Sequence, residues 1–193
     1  MRRTRSLDAA YFDELYGREA DPWSFETSAY EAGKYHRTIA ALGAERALRA
    51  LELGCSIGVL TRLLAACCDE LISTDLAAAA LDRAKARCAD LPNVRFLLAE
   101  QITDGFDGAF DLIVLSEVIY YWVQADLEKV AAAVLRTLQP NGRLLLVHWL
   151  GETDYPKTGD DAVMALALLL GGDVRIEHAE RHEAYRLDLW RRV

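Results

Sequence analysis

The densest chemistry in the 193-residue sequence lies at Leu51-Glu52-Leu53-Gly54-Cys55-Ser56-Ile57-Gly58, where two glycines bracket a short segment after an apolar run. A tight strand-to-helix turn uses glycine where a ligand must approach the backbone, and the amides opening the next helix favour a negative group. Asp75 stands 75 − 54 = 21 residues past the first glycine, at the predicted end of the second strand. A carboxylate there can accept hydrogen bonds from both hydroxyls of a ribose. The pattern points to a nucleoside-bearing ligand. A dinucleotide fingerprint, G-x-G-x-x-G, would need glycines at 56 and 59, where the chain has Ser56 and Val59. That disfavours a nicotinamide-dependent oxidoreductase. S-adenosyl-L-methionine has a ribose and an adenine but no pyrophosphate, so its loop needs a less close backbone approach. In such a site Glu52 orients the ammonium of the methionine moiety, the Gly54-Cys55-Ser56-Ile57-Gly58 loop and the helix behind it suit its carboxylate, and Asp75 with Leu76 meets the ribose.

A second constellation gathers where later strands are expected to end. Methyl transfer from a sulfonium is an in-line displacement, so the protein must align donor and acceptor and keep the acceptor lone pair free. An ammonium cannot attack, and a carboxylate or imidazole beside it can take its proton. Glu117, just past Ser116, and His148, inside Val147-His148-Trp149, are the candidates. Tyr120 and Tyr121 offer rings and hydroxyls to a sugar, and Asp160 follows a polar loop that should border the acceptor. Trp23, Tyr30 and Arg37 sit where an N-terminal cap could close over the cofactor. Each has a plainer role beside it. Glu117 could be a solvated capping acid, His148 could satisfy a backbone group, the aromatics could be packing, and Asp160 could cap a helix.

The elements that must position these residues alternate short apolar runs with amphipathic ones, the pattern of βα units around a parallel sheet. Strands are predicted at Ala47–Leu53, Glu70–Thr74, Val94–Leu98, Phe110–Ser116 and Arg143–Trp149, with helices at Val59–Cys67, Ala77–Cys88, Asp126–Leu138 and Asp160–Leu170. Pro140-Asn141-Gly142 reads as a turn. Two period-two segments, from Val174 and from Tyr185, follow with no helix between them and suggest an antiparallel pair at the sheet edge. The expectation is one α/β domain over residues 1–193. It comprises a Rossmann-like, seven-stranded, mostly parallel sheet with an antiparallel edge strand over 47–193, preceded by a helical, aromatic-rich cap over 1–46.

Composition narrows the partners. The chain is 52% hydrophobic and 27% charged, with 22 Lys plus Arg against 30 Asp plus Glu, a formal charge of −8. An acidic chain is a poor fit to a phosphate backbone, so no nucleic-acid partner is expected, and a cationic small molecule is better received. The longest apolar run, Ala162 to Leu170, falls short of the roughly 20 residues that span a bilayer. The four cysteines show no metal-ligand spacing, and Met1-Arg2-Arg3-Thr4-Arg5 leads into no apolar export segment. A reduced cytoplasmic protein without structural metal is expected.

With these residues in place, the sequence resembles the class I S-adenosylmethionine-dependent methyltransferases. Glu52-Leu53-Gly54-Cys55-Ser56-Ile57-Gly58 stands as the first motif, Asp75 as the ribose acid and Phe110-Asp111-Leu112-Ile113-Val114-Leu115-Ser116-Glu117 as the fourth-strand motif. Ser56 departs from the family's usual central glycine. The resemblance implies that Glu100, Gln101 and Ile102 contact adenine and that Ser116 belongs to the cofactor site. Asp21-Pro22-Trp23 with Tyr30 and Tyr35, and Ser116-Glu117-Val118-Ile119-Tyr120-Tyr121, are similar to the nodulation protein S branch. That branch N-methylates a free amine of a deacetylated chitooligosaccharide, which implies a small-molecule or oligosaccharide amine acceptor. A small-molecule O-methyltransferase and a non-catalytic S-adenosylmethionine-binding protein stand as alternatives on the same scaffold. The strand-four signature Asn- or Asp-Pro-Pro-Tyr, expected for adenine N6, is absent from the sequence.

Overall fold

A computed structural model of the chain describes residues 2–193. Seven strands make one sheet: β1 (Ala47–Leu53), β2 (Cys68–Asp75), β3 (Val94–Leu98), β4 (Phe110–Ser116), β5 (Leu138–Trp149), β6 (Val174–Arg181) and β7 (Tyr185–Arg192), in the order β3-β2-β1-β4-β5-β7-β6. The pairs β1/β2, β2/β3 and β4/β5 are parallel, and β7 runs antiparallel to both β5 and β6. This is the Rossmann-like order, which reverses after β1, with β7 as the one antiparallel insertion. Such sheets bind ligands outside the carboxyl ends of their strands where the order reverses. The helices are α1 (Ala9–Arg18), α2 (Ala29–Ala41), α3 (Val59–Leu64), α4 (Ala78–Arg87), α5 (Gln124–Thr137) and α6 (Gly159–Leu170). Among the described residues no helix is long and apolar enough to cross a membrane.

By contacts the chain divides into two compact units, Asp8–Gly105 and Phe106–Val193 together with the residues up to Leu7. In Asp8–Gly105, Leu51 and Leu71 are fully buried, and α4 presents Leu81 and Ala84 to Cys55 and Phe96. Each such leucine, taken out of water, contributes about 1.5–3 kcal/mol. Helix α1 starts at Asp8, whose carboxylate accepts from Tyr11 N, and α2 starts at Ser28, whose hydroxyl accepts from Glu31 N. In the second unit, Leu112 to Leu115 of β4 and Leu144 to Leu146 of β5 are all at zero exposure, as a central parallel pair covered on both faces should be. Leu127, Val130 and Val134 of α5 are also at zero exposure.

Three expectations change. The helix after the glycine loop ends at Leu64 and tightens into a 3-10 turn over Ala65–Cys67. Pro140-Asn141-Gly142 does not separate a helix from a strand but lies within β5. Phe110 pairs with Leu138 and Leu112 with Arg143, so β5 bulges around Asn141, whose φ is +63°. The cap is also not one piece. Helices α1 and α2 belong with β1–β3, whereas Leu7 N donates to Tyr121 O at 3.1 Å and Ser6 Oγ accepts from Val123 N at 2.9 Å in the other unit.

Candidate functional site

At the end of β1 the chain turns through Gly54, Ser56 and Gly58, with φ of +73°, +51° and +80°. A Cβ on Gly58 would lie 2.9 Å from the Ala84 Cα, so the second glycine is required both by its left-handed backbone and by the close approach of α4. The Gly54 and Cys55 amides both donate to Thr74 O, at 2.8 and 2.9 Å, which ties the loop to the end of β2. The Cys55 side chain is buried against Leu81 and Ala84, so this residue faces the loop through its backbone. Ser56, at the position where the sequence departs from glycine, places its hydroxyl 2.5 Å from the Tyr16 hydroxyl of α1. Tyr16 itself is 3% exposed, and burial followed by the nearby Asp75 pushes its phenol well up.

Asp75 is held by backbone. Its Oδ2 accepts from Ser56 N at 2.7 Å and its Oδ1 from Ala77 N at 2.9 Å. Burial raises its pKa to about 6, and those amides pull the other way. Two carboxylate oxygens offer about four acceptor positions, so the amides of Ser56, Leu76 and Ala77 still leave capacity for a ribose hydroxyl. Leu76 is half-buried beside it. Glu52 is 2% exposed, and its Oε2 accepts from Thr61 Oγ1 at 2.7 Å and Ser73 Oγ at 2.8 Å. The carboxylate thus braces β1, α3 and β2 behind the loop, and burial lifts it to about 7. After β3, the amides of Glu100 and Gln101 both donate to Asp104 Oδ2, at 2.7 and 2.9 Å. Glu100 and Gln101 are exposed and Ile102 is half-buried, and Asp104 sets the backbone of the first two. A Cβ on Gly105, at φ +92°, would lie 2.7 Å from Thr74 Cγ2, which ties the end of this segment to β2.

Trp23 joins Tyr16, Ile57, Ala77 and Ala80 in one apolar cluster, edge-on to the Tyr16 ring at 5.8 Å and stacked on Phe25 at 5.4 Å. Arg37 is exposed on α2, and Tyr30 is 39% exposed. The cation that α2 buries is Lys34, 3% exposed, paired with Glu31 at 2.9 Å and within 6 Å of the Tyr30 and Tyr35 rings.

In the other unit, β4 ends at Ser116, which is buried. Glu117 follows at φ +57°, with its amide donating to Val147 O at 2.8 Å. Its Oε2 accepts from the Tyr120 hydroxyl at 2.6 Å and from Trp149 N at 2.8 Å. Two fixed donors aim this carboxylate at the end of β4. A non-glycine residue in the left-handed region costs roughly 1–2 kcal/mol, and here two hydrogen bonds support the strained position.

Three expectations from the sequence change here. His148 is at zero exposure, and its Nε2 accepts from Ile119 N at 3.4 Å while its ring meets Tyr120 edge-on at 5.4 Å. Full burial against a backbone amide makes it a brace for the turn carrying Tyr120, not a base open to an acceptor. Asp160 has one oxygen on Arg181 and the other on Arg186, both at 2.9 Å, so its carboxylate serves the β6–β7 hairpin. The cap of α6 is Thr158, which accepts from Asp161 N. Tyr120 and Tyr121 are brought together, but both are buried and packed against the half-buried Tyr155, stacked on Tyr120 at 5.3 Å, and do not form an open wall. The more exposed ring is Trp149, 36% exposed at the end of β5, against which Gly151 packs with no room for a Cβ. Asp104, Tyr155 and Trp149 carry no motif. The signal for Trp149 was its place, one residue past His148 at a strand end.

A family model described as Nodulation protein S (NodS) matches residues 13–148. Nodulation protein S of Bradyrhizobium diazoefficiens is 32% identical over 102 residues, covering 52% of this chain and 49% of that one. Its counterpart in Rhizobium tropici is 29% identical over 137 residues, covering 68% and 58%. The match thus spans about half the length of the curated relatives. Among solved structures, a candidate methyltransferase from Pseudomonas syringae is 34% identical with a TM-score of 0.75, over 86% of this chain and all of that one. The N-methyltransferase NodS from Bradyrhizobium japonicum WM9, in complex with S-adenosyl-L-homocysteine, shares the fold at a TM-score of 0.83 and 20% identity, over 96% and 99% of the two chains. With the glycine loop, Asp75 and Glu117 all inside the matched residues, the chain belongs to the nodulation protein S (NodS) family.

Proposed function

We propose that this chain is an S-adenosyl-L-methionine-dependent N-methyltransferase whose acceptor is the free amine of an amino sugar, a deacetylated chitooligosaccharide in particular. The observation that carries the amine is Glu117, a carboxylate aimed by Tyr120 and Trp149 at the end of β4. A carboxylate can hold an ammonium and take its proton, whereas an alcohol is far too weak an acid to yield a proton to it. That favours nitrogen over oxygen as the attacking atom.

The cofactor residues fit their ligand. Gly54 and Gly58 keep the loop open to close approach, Asp75 offers two buried oxygens with spare acceptor capacity, and Asp104 fixes the Glu100-Gln101 backbone for the adenine edge. When bound, the cofactor supplies a methyl group on a positively charged sulfur. The protein's own part is to position both partners, exclude water beside Trp23 and Tyr16, and hold the acceptor proton on Glu117. Trp149 supplies an exposed ring for a sugar face, and the net charge of −8 suits a cationic acceptor.

Incubation with isotopically labelled S-adenosyl-L-methionine and a chitooligosaccharide bearing one free amine tests this. The expected product is one methyl heavier and labelled on nitrogen, with none from the fully acetylated oligosaccharide. Equal labelling of both sugars, or labelling on oxygen, would overturn it.

A further inference from the structure

We infer that Arg87 is a positioning residue for the cofactor loop, acting as a latch that fastens the Asp21–Glu26 turn of the cap to the Ile57 carbonyl. The inference rests on the cofactor reading above but adds a residue that lies outside the glycine motif and the ribose acid. Arg87 closes α4, and its Nε donates to Ile57 O at 2.8 Å while its Nη2 pairs with Glu26. Glu26 is itself held by Asp21, whose two oxygens accept from Phe25 N at 2.8 Å and Glu26 N at 2.9 Å. Inside that turn, Trp23 stacks on Phe25 and meets Tyr16 edge-on. Tyr16 in turn bonds Ser56, the residue before Ile57. The loop is therefore gripped at consecutive residues: Ser56 by α1 and Asp75, and Ile57 by a guanidinium that also carries the cap.

The geometry explains why this residue is arginine. A planar guanidinium presents donors in several fixed directions, so one side chain can serve a carbonyl and a carboxylate together, which a single ammonium does less well. Arg87 is itself kept in place from behind. Its carbonyl accepts from Arg62 Nη1 at 2.9 Å, and Arg62 is fixed bidentately by Asp90 at 2.6 and 2.8 Å. Arg62, Arg83, Arg87, Ala86 and Glu26 line a cavity of about 460 Å³ on this side of the loop. Two of its three arginines are thus already committed to carboxylates, so the cavity is the back of the latch. Cutting the latch frees the cap turn and lets the Ile57–Gly58 peptide turn over, which breaks the 2.9 Å hydrogen bond from Gly58 N to Cys55 O that closes the loop.

The test is calorimetric titration of the full chain with S-adenosyl-L-homocysteine, using wild type, Arg87→Ala, Arg87→Lys, Glu26→Gln and the double variant Glu26→Gln/Arg87→Ala. Arg87→Ala should weaken binding about tenfold, the worth of a charged hydrogen bond to the Ile57 carbonyl, and Glu26→Gln, which loses only a partly exposed ion pair, about two- to fivefold. The double variant should weaken it no further than Arg87→Ala alone, because the two act as one unit, and Arg87→Lys should recover part of the loss. A merely structural arginine would lower the melting temperature while leaving the affinity of the folded protein unchanged. That result, or additive losses in the double variant, would overturn the latch. Should Arg87→Ala fail to fold, Glu26→Gln on its surface turn still decides the question. Failure of wild type to bind would instead remove the cofactor reading and the latch with it.

Discussion

In the Asp8–Gly105 unit Asp75 and the glycine loop are held by backbone groups, whereas in the Phe106–Val193 unit Glu117 depends on a tyrosine hydroxyl as well as an amide. Asp75 is fixed by the amides of Ser56 and Ala77, and the glycine loop by Thr74 O. Glu117 is fixed by a tyrosine hydroxyl together with one amide, and that tyrosine is packed in turn against Tyr121, Tyr155 and His148. Backbone donors depend on φ, ψ and spacing and tolerate most side chains. A scaffold built that way can keep one cofactor site while side chains in the other unit are exchanged for a different acceptor. Under the proposed function, the difference places substrate choice with Glu117, Trp149 and the Tyr120–Tyr121–Tyr155 cluster.

Glu117→Gln should show the largest effect. Turnover is expected to fall roughly a hundredfold to ten-thousandfold, the usual worth of a general base, while S-adenosyl-L-homocysteine affinity by calorimetry stays within about twofold of wild type. Loss of cofactor binding in that variant would break the division between the units. Asp75→Ala is the reverse case. It should cost about 1–3 kcal/mol of cofactor affinity, since the ribose loses its acceptor and two buried amides lose theirs.

The pH response should sharpen the contrast further. Asp75 and Glu52, ordinarily near 3.8 and 4.5, titrate at about 6 and about 7 in the folded chain. Between roughly pH 4 and pH 7 the folded state therefore binds more protons than the unfolded one, so stability should fall as pH rises through that window. Chemical denaturation at a series of pH values measures this directly. Cofactor affinity should move the other way, rising as Asp75 ionises near pH 6 and becomes an acceptor at both oxygens. A flat stability profile over that window would show that burial does not lift these groups. The smallest effect belongs to Asp160→Asn. It breaks two partly exposed ion pairs worth at most about 1 kcal/mol of stability, and turnover should be unchanged; a marked rise in acceptor KM would return Asp160 to the acceptor site.

Legibility in the sequence follows the same division. Strands β1, β3 and β4 fall at their expected bounds, and in β4 the continuous run Leu112 to Leu115 matches a strand covered on both faces. The glycine loop was readable because backbone geometry demands glycine at a fixed spacing, and the place of Asp75 because it closes β2. His148 and Asp160 were not, since nothing local distinguishes a histidine bracing Ile119 N from a base, or an aspartate that meets Arg181 and Arg186 only once the chain has folded back. The splitting of the N-terminal segment was hidden for a similar reason. Arg3 pairs with Asp154 at 2.9 Å, a contact between residues 151 positions apart in the chain.

The most direct measurement of the central claim is a calorimetric titration with S-adenosyl-L-homocysteine, followed on the loaded protein by a chitooligosaccharide with one free amine and by its fully acetylated counterpart. The account predicts saturable binding of the product cofactor and a second binding event with the free-amine sugar alone. Absence of cofactor binding, or equal binding of the two sugars, would contradict it.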